Sequence, residues 1–314
     1  AWVEMDAETL AQAQKRLHLP EENGFTSLEQ ALEHVEADAV LITASLPGHV
    51  SNAITALKAG KHVLMEKPFA PTLVEARQVV DLATSQDRVL MISQNYRYSP
   101  VVSKVTELVR EQRLGPVSSV NLDFRRYANN SGTPDTNRHY RIWQPLLVDM
   151  SIHHFDLMRV ILGQEPEEVI CKTWNPSWSQ FVEDASAAAT ITFDGGTVVN
   201  YRGSWISPGP QTNWGGEWHM ECENGEIVWT ARGEYPEQIL LRPLGKNPQT
   251  IKIPEMEYID RSGTLHAFAH AVLSGEPVES SGRDNLKTLA LMFAAIESAR
   301  SGLPVDIART EISV

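Results

Sequence analysis

Residues 39–65 read AVLITASLPGHVSNAITALKAGKHVLM, and this stretch decides the fold. The apolar run 39–43 is typical of a buried strand. Residues 49–59 have helical periodicity with Gly60 as the C-cap, and residues 61–65 form a second strand. The same alternation of strand and helix extends on both sides of this stretch.

A helix is predicted over 8–18 before it, and a helix over 72–84 and a strand over 88–93 after it. One face of the later helix carries apolar residues at helical spacing: Leu73, Ala76, Val79, Val80 and Ala83. Strands that alternate with helices at these distances predict an α/β fold with a doubly wound parallel sheet. We therefore assign residues 1–94 to a first, Rossmann-type domain.

The pattern changes after residue 94, where strand-like runs become frequent and hairpin turns such as Asn224-Gly225 separate them. These runs cover residues 117–127, 168–174, 185–193, 197–206, 217–223, 226–231 and 237–242. Helices are predicted at 99–113, 149–162, 264–273 and 284–301. We assign residues 95–314 to an α+β domain with a large, mainly antiparallel open sheet.

The composition excludes several classes of protein. The 314 residues are 42% apolar, so the chain can form a large core and is not disordered. The net charge is 27 − 40 = −13, which disfavours nucleic acid as a partner. Two cysteines make neither a disulfide framework nor a Cys-rich zinc site, and no apolar stretch approaches the length of a membrane span. The first ten residues do not fit a signal peptide, so we expect a cytoplasmic protein with no membrane partner.

Lys67 is the first candidate for chemistry. It belongs to the sequence MEKPF at 65–69, directly after a predicted parallel strand. Ligands of open α/β sheets bind beyond the carboxyl ends of the strands, where a lysine can hold a substrate oxygen or help its proton leave. The alternative, a solvated loop with an incidental ion pair, is equally compatible with the position and charge.

Asp149, His153 and Asp156 form the second candidate because i, i+4 and i+7 share one face of a helix. A carboxylate one turn before a histidine can orient the imidazole and favour it as a general base. Taken alone, this pattern fits better with a capping aspartate and partly buried histidines. A zinc site lacks a third ligand motif, and we predict no metal.

Two loops and the tryptophans are weaker signals. The sequence SLPGH at 45–49 precedes a helix N-terminus that favours an anion, although Pro and Gly also suit a plain turn. The sequence QNYRY at 94–98 lies at the proposed domain boundary. Its polar side chains could line a cleft there, or the segment could be a linker that packs with its aromatic residues. Six of the eight tryptophans lie from residue 174 onward. We expect their side chains to lie in the core of the sheet or in an oligomer interface, and not to stack on a sugar ring.

Four segments together resemble the glucose–fructose oxidoreductase / inositol dehydrogenase / rhizopine-catabolism (Gfo/Idh/MocA) family over essentially the whole chain. They are AGKHVLMEKPFAPTLVEA at 59–76, DMSIHHFDLMRVILG at 149–163, NGEI at 224–227 and SGRDNLKTLALMFAAIESARSGLPV at 281–305. The resemblance implies an NAD(P)-binding Rossmann domain and a C-terminal domain whose open sheet makes a homo-oligomer, a dimer or tetramer.

The resemblance also implies roles for individual residues. Lys67 would polarise the reacting oxygen, with a peptide bond to Pro68 that is often cis in relatives. His153 would take the hydroxyl proton while hydride leaves the same carbon for nicotinamide C4, and Asp149 would orient the pair. The implied cofactor contacts are Glu4, Asp6, Ser45, Pro47, His49, Glu66, Lys67 and Asn95. The candidates for the substrate pocket are Arg97, Arg126, Tyr127, His139, Trp143 and His154.

The function implied is NAD(P)-dependent oxidation of a secondary hydroxyl of a sugar, inositol or related polyol, or the reverse reduction. Glu4 or Asp6 at the ribose would repel a 2′-phosphate and slightly favour NAD over NADP. Two alternatives stay open: an NAD-dependent glycoside hydrolase of the same family, and a non-catalytic sugar or nucleotide sensor. The intact set of Lys67, Asp149 and His153 argues against the sensor.

Two departures from the family pattern affect these expectations. The chain contains no G-x-G-x-x-G, and we expect that roughly 30 residues with the first strand and the Gly-rich turn precede Ala1. We therefore expect the chain as given to bind NAD(P) weakly or not at all. In addition, WQPLL at 143–147 and Ser151 stand where many relatives have glycines, which affects substrate identity.

Overall fold

The computed structural model describes residues 1–313, and the chain divides into two compact units. Unit 1 comprises residues 1–93 with residues 267–284. Unit 2 comprises residues 94–266 with the chain from residue 285 onward. The division into domains at 1–94 and 95–314 stays a prediction. The compact units differ from those predicted domains because residues 267–284 belong to unit 1. Ile92 N donates to Ser280 O at 2.9 Å, which joins this segment to unit 1.

The strands of unit 1 are parallel, as predicted, and lie in two separate sheets. One sheet pairs β1 (Trp2–Val3) with β2 (Gly24–Phe25). The other has the order β3-β4-β5, with β3 at Ala39–Ile42, β4 at His62–Met65 and β5 at Leu90–Ile92. Among the described residues no strand pairing joins the two sheets.

The helices of unit 1 are α1 (Ala7–Leu17), α2 (Leu28–His34), α3 (Leu46–Lys58) and α4 (Leu73–Ser85). Thr72 begins α4 by accepting a hydrogen bond from Glu75 N, and the five residues predicted for its buried face are the ones that are buried. Helix α3 begins three residues earlier than predicted because Pro47 fits the first turn of a helix. In α1 only Leu10 is buried, and Leu17 is exposed.

Unit 2 contains a nine-stranded sheet of the order β13-β12-β11-β10-β6-β9-β8-β7-β14. Every neighbouring pair is antiparallel except β6 and β9, which confirms the predicted large, mainly antiparallel sheet. Its strands are β6 (Val117–Arg125), β7 (Pro166–Trp174), β8 (Ser186–Phe193), β9 (Val198–Ser204), β10 (Glu217–Cys222), β11 (Gly225–Thr230), β12 (Gln238–Pro243), β13 (Gln249–Ile251) and β14 (Val305–Asp306).

Helices of unit 2 cover one face of this sheet with apolar residues. Helix α5 (Pro100–Arg110) and helix α6 (Ile152–Leu162) contact each other, and a π-helical turn, Pro145–Ser151, precedes α6. The remaining helices are α7 (Asp260–Ser274), α8 (Gly282–Ser301) and α9 (Ile307–Ser313), of which α7 and α8 include residues of both units. No described helix is both long and apolar enough to cross a membrane.

The other face of the sheet carries a polar surface with a chain of ion pairs. Arg232 contacts Glu217 at 2.7 Å and Asp123 at 3.2 Å. His219 lies between Glu217 and Glu226, at 3.6 and 2.8 Å. This sheet-face network comprises Asp123, Arg202, Glu217, His219, Glu226, Arg232 and Arg242. Charge-assisted hydrogen bonds link β9, β6, β10, β11 and β12.

Glu217→Gln should destabilise the protein at neutral pH and have less effect in acid. Burial raises the pKa of Glu217, but hydrogen bonds from Thr230 and Arg232 outweigh it and lower the pKa below 4.5. A lowered carboxyl pKa gives stability that is present above pH 4.5 and is lost as the pH falls through the folded-state value. We expect a loss of about 1–3 kcal/mol at pH 7, measured by urea unfolding, and a smaller loss at pH 4. Equal losses at both pH values would contradict the assignment, and Glu221→Gln on the same strand is the control.

Candidate active site

The carboxyl ends of β3, β4 and β5 meet at one edge of the sheet in unit 1. Glu66 N donates to Ile42 O at 2.9 Å, and Ser93 N donates to Met65 O at 2.8 Å. The Ser93 hydroxyl in turn donates to Glu66 Oε1 at 3.3 Å. These bonds extend the strand pairing and hold Glu66 and the following Lys67 at the edge where ligands of α/β sheets bind.

His49 supports the loop that carries Lys67. Its Nδ1 lies 2.8 Å from Pro68 O, and its Nε2 lies 2.9 Å from Ala44 O. The ring is 2% exposed, so both nitrogens are engaged inside unit 1. The ring thus links the loops after β3 and β4, and the predicted contact of His49 with the cofactor stays a prediction. The Lys67–Pro68 peptide bond is cis, as the resemblance implied.

Ser45, Pro47, Glu4 and Asp6 are exposed on unit 1. Ser45 precedes α3 without using its side chain as a cap, so its hydroxyl is not committed to the helix. Asp6, by contrast, caps α1: its Oδ1 accepts from Thr9 N at 2.7 Å, and this bonding lowers the pKa of Asp6. Asp6 N donates to Glu4 Oε1 at 3.1 Å, which keeps the two carboxylates together after β1.

His153 of unit 2 is held by the turn that follows β5. Gln94 Oε1 lies 3.1 Å from His153 Nδ1, and the Tyr96 ring stacks on the imidazole at 4.4 Å between centroids and 22° between planes. An amide oxygen only accepts, so Nδ1 carries the hydrogen and Nε2 is the basic nitrogen of the neutral ring. Burial raises the pKa of Tyr96, so its phenol keeps its proton. Asn95 lies half-buried in the same turn.

Arg97 anchors this turn to α6. Its Nε and Nη2 each lie 2.6 Å from an oxygen of Asp156, and the two side chains are 5% and 1% exposed. Thr288 also donates to Asp156, at 3.0 Å. The predicted role of Arg97 in the substrate pocket stays a prediction. Asp156 was predicted to share a helical face with Asp149 and His153, and the structure instead places its carboxylate against Arg97, because two opposite charges this deeply buried stabilise each other as a bidentate pair.

Asp149 lies in the π-helical turn and not on α6. Its Oδ2 is 3.3 Å from His139 Nε2, with both side chains about a quarter to a third exposed. The His139 ring makes edge contacts with Trp205 at 5.0 Å and with Phe181 at 5.2 Å. The aromatic contacts therefore fix the histidine that holds the predicted catalytic carboxylate.

His154 lies in the core of unit 2, and its predicted substrate contact stays a prediction. It is completely buried, with Nδ1 3.1 Å from Tyr201 Oη and Nε2 2.9 Å from Trp214 O. Burial lowers the pKa of His154 to about 4, so the ring is neutral near pH 7. Its contact with the Trp214 carbonyl oxygen fixes the loop of Trp214 against α6.

The other predicted pocket residues lie at the surface of unit 2. Tyr127 and Trp143 are 39% and 50% exposed, and their roles stay predictions. Arg126 lies over the Trp214 ring, with its guanidinium carbon 4.1 Å from the ring centroid. Trp214 is 49% exposed, whereas Trp218 and Trp229 stack on each other in the core as expected. Among residues 1–313 no three His, Cys, Asp or Glu side chains come together as a metal site.

The sequence predicted the QNYRY segment as a cleft element or a linker, and Trp214 as a residue of the core or of an interface. It did not identify Gln94 and Tyr96 as the residues that contact His153. No sequence signal identifies which of these side chains contacts a histidine 57 or 59 residues away. Lys67 lies in unit 1, and Asp149 and His153 lie in unit 2.

Gln94→Leu should lower kcat/KM of the full-length enzyme by about tenfold or more, because the buried His153 N–H loses its acceptor. Gln94→Glu keeps an acceptor at the same place and should retain most of the activity. The measurement is steady-state kinetics of both variants, with a thermal melt of each. A Leu variant as active as the wild type would contradict the assigned ring orientation, as would equal losses in the Leu and Glu variants.

Two family models match the chain. Residues 2–94 match a model described as an oxidoreductase family with an NAD-binding Rossmann fold, and residues 102–228 match the GFO/IDH/MocA C-terminal domain. The fold and these matches define a two-domain oxidoreductase with an NAD-binding Rossmann domain. The chain belongs to the Gfo/Idh/MocA family. The predicted family, fold class and nicotinamide dinucleotide cofactor class are thereby confirmed.

Individual relatives match over most of the chain. An uncharacterised protein of Sinorhizobium fredii, y4oX, is 27% identical over 97% of this chain and 86% of its own length. D-apiose dehydrogenase of Paraburkholderia graminis is 27% identical over 88% of this chain and 74% of its own. An Agrobacterium radiobacter oxidoreductase, solved in complex with NAD+, L-tartaric acid and magnesium, superposes with a TM-score of 0.85 at 20% identity, covering 98% and 90% of the two chains.

Proposed function

We propose that the protein is an NAD(P)-dependent oxidoreductase that moves hydride between a secondary alcohol carbon of a sugar, inositol or related polyol and nicotinamide. The observation that carries the proposal is the orientation of His153. Gln94 keeps the hydrogen on Nδ1 and Tyr96 stacks on the ring, so Nε2 is the nitrogen suited to accept a proton. The relation to D-apiose dehydrogenase supports a sugar-like substrate.

The residues of unit 1 fit one part of a dinucleotide. Glu4 and Asp6 would accept hydrogen bonds from a ribose, and their charge supports NAD over NADP. The uncapped N-terminus of α3, with Ser45 and Pro47 exposed, fits an anion or a ribose hydroxyl. Glu66 and Lys67 would lie at the nicotinamide end. When bound, the nicotinamide ring supplies the hydride acceptor.

The protein residues then handle the proton. We assign His153 Nε2 to accept the proton of the substrate hydroxyl as the carbonyl forms. The Lys67 ammonium would donate a hydrogen bond to the same oxygen and stabilise the negative charge that develops there. Asp149, held by His139, would orient these two groups and offset their positive charge. In the reductive direction the same residues would deliver the proton to the carbonyl oxygen.

The test measures net formation of reduced nucleotide at 340 nm by the full-length protein. The panel pairs NAD+ and NADP+ with aldoses, inositols, linear polyols and sugar acids. The proposal predicts reduced nucleotide with at least one secondary alcohol, and faster with NAD+ than with NADP+. Release of sugar from a glycoside without net redox change, or no redox reaction across the panel, would contradict it.

We also propose that the open sheet of unit 2 forms a homo-oligomer, a dimer or tetramer. The support is the polar face that carries the sheet-face network together with a shallow cavity between Asn121, Asn200 and His219. Light scattering on the full-length protein tests it, and a monomeric mass at micromolar concentration would contradict it.

A further inference from the structure

Arg126 is a half-buried cation of unit 2. It follows directly after β6, and its Nη1 donates to Gln211 Oε1 at 2.8 Å. Its Nε is buried and makes no hydrogen bond, and no carboxylate of the described residues forms an ion pair with it. Arg97 and Arg159 are more deeply buried in unit 2, and both pair with carboxylates.

The guanidinium of Arg126 is nevertheless held in a fixed orientation. Its central carbon lies 4.1 Å above the centroid of the Trp214 ring, and cation–π attraction favours that position. His154 fixes the Trp214 backbone, and Trp205 contacts the Trp214 ring edge-on at 6.1 Å. An ordered cation that loses hydration and gains no counter-charge is costly unless a ligand supplies the charge.

Arg126 belongs to the same cluster of contacts as a predicted catalytic residue. Trp214, which lies under the Arg126 guanidinium, contacts Trp205 at 6.1 Å between ring centroids, and Trp205 contacts the His139 ring at 5.0 Å. His139 Nε2 in turn lies 3.3 Å from Asp149 Oδ2. Asp149 is the carboxylate assigned to orient the catalytic base, so the cluster joins the cation to the reacting site of the proposed function.

We propose that Arg126, seated on Trp214 and held by Gln211, binds a carboxylate of the substrate, which makes the substrate an acidic sugar such as an aldonate or uronate. This inference rests on the proposed function for the assignment of the reacting site. A planar guanidinium matches a carboxylate with two parallel hydrogen bonds. One cation balances a single negative charge, which favours a carboxylate over a phosphate.

The test is equilibrium binding to the full-length protein with NADH present, measured by calorimetry. The probes are pairs that differ in the charged group: D-glucuronate and D-glucose, D-galacturonate and D-galactose, D-gluconate and D-glucitol. At least one acid should bind about tenfold or more tightly than its neutral partner. Arg126→Gln should abolish that preference, Arg126→Lys should keep part of it, and Arg110→Gln, at an exposed arginine of α5, should leave it unchanged.

Neutral partners that bind as tightly as the acids in every pair would overturn the inference. A preference that survives in Arg126→Gln, or a failure of every acid to bind, would also overturn it. Binding and turnover separate the two proposals. A carboxylate preference that depends on Arg126 without any NADH formation would contradict only the proposed function. Oxidation of neutral polyols that Arg126→Gln does not change would contradict only the carboxylate site.

Discussion

His153→Ala should lower kcat of the full-length enzyme by about 10²–10⁴-fold while substrate still binds. General base catalysis by a positioned side chain contributes this much to a proton transfer, and the alanine variant leaves only water to take the proton. The loss should occur in kcat more than in KM, because the imidazole acts on the transition state and the pocket contacts of the substrate persist. The variant also removes the partner of Gln94 Oε1 and of the Tyr96 ring.

The measurement combines steady-state kinetics with sugar binding by calorimetry. His270→Ala is the matched control, since His270 is an exposed histidine of α7 and its loss should not affect the rate. Thermal melts of both variants report whether the fold is intact. A His153→Ala enzyme within threefold of the wild-type rate would show that another group takes the proton.

Asp156→Ala should have the largest effect on stability. The side chain is 1% exposed and accepts two hydrogen bonds from Arg97 and one from Thr288. Its loss removes the bidentate counter-charge of the buried Arg97 guanidinium, and breaking a buried ion pair typically costs about 3–5 kcal/mol. The midpoint of thermal unfolding should fall on the order of 10 °C. Activity should fall as well, because Arg97 anchors the turn that carries Gln94 and Tyr96.

Asp135→Ala is the control for this prediction. Asp135 also pairs with an arginine, Arg141, but its side chain is 84% exposed. An exposed pair contributes about 0–1 kcal/mol, so this variant should melt close to the wild type. The double variant Arg97→Met with Asp156→Leu should recover part of the stability, since it removes both charges together. An Asp156→Ala protein as stable as the Asp135→Ala protein would contradict the structural assignment.

The elements that the sequence predicted are those with a clear period and clear ends. The buried face of α4 follows directly from apolar residues three and four apart, and the hairpin between β10 and β11 follows from Asn224-Gly225. Helix α2 could have been predicted as well. Ser27 accepts a hydrogen bond from Gln30 N, and a serine followed three residues later by glutamine is a known helix-start pattern.

The candidate site was only partly predictable, because its pairings connect distant segments. The spacing of Asp149, His153 and Asp156 suggested one helical face, but the π-helical turn rotates Asp149 away from the α-helical register. Asp149 then contacts His139, and Asp156 contacts Arg97, which is 59 residues away in the sequence. Helical periodicity carries no information about such partners.

Burial explains the remaining differences between the surroundings that residues of the site have in the structure and those that the sequence suggested. His154 is adjacent to His153 in the sequence, yet one ring lies in the core with a pKa of about 4 and the other lies against the turn after β5. Both rings are buried, and adjacent residues on a helix point about 100° apart, so only the packing of α6 determines which partners each histidine contacts. Trp214 differs from Trp218 for a comparable reason, since one lies in a loop and the other in a central strand.

The destination of the transferred hydrogen tests the proposed chemistry most directly. The full-length protein is incubated with NAD+ and a sugar acid or polyol deuterated at its secondary alcohol carbons, and the reduced nucleotide is analysed by mass spectrometry. Direct hydride transfer predicts a reduced nucleotide that carries one deuterium from the substrate carbon, and none from solvent when the labelling is reversed with D2O. Reduced nucleotide without substrate deuterium, or no reduced nucleotide at all, would contradict the account.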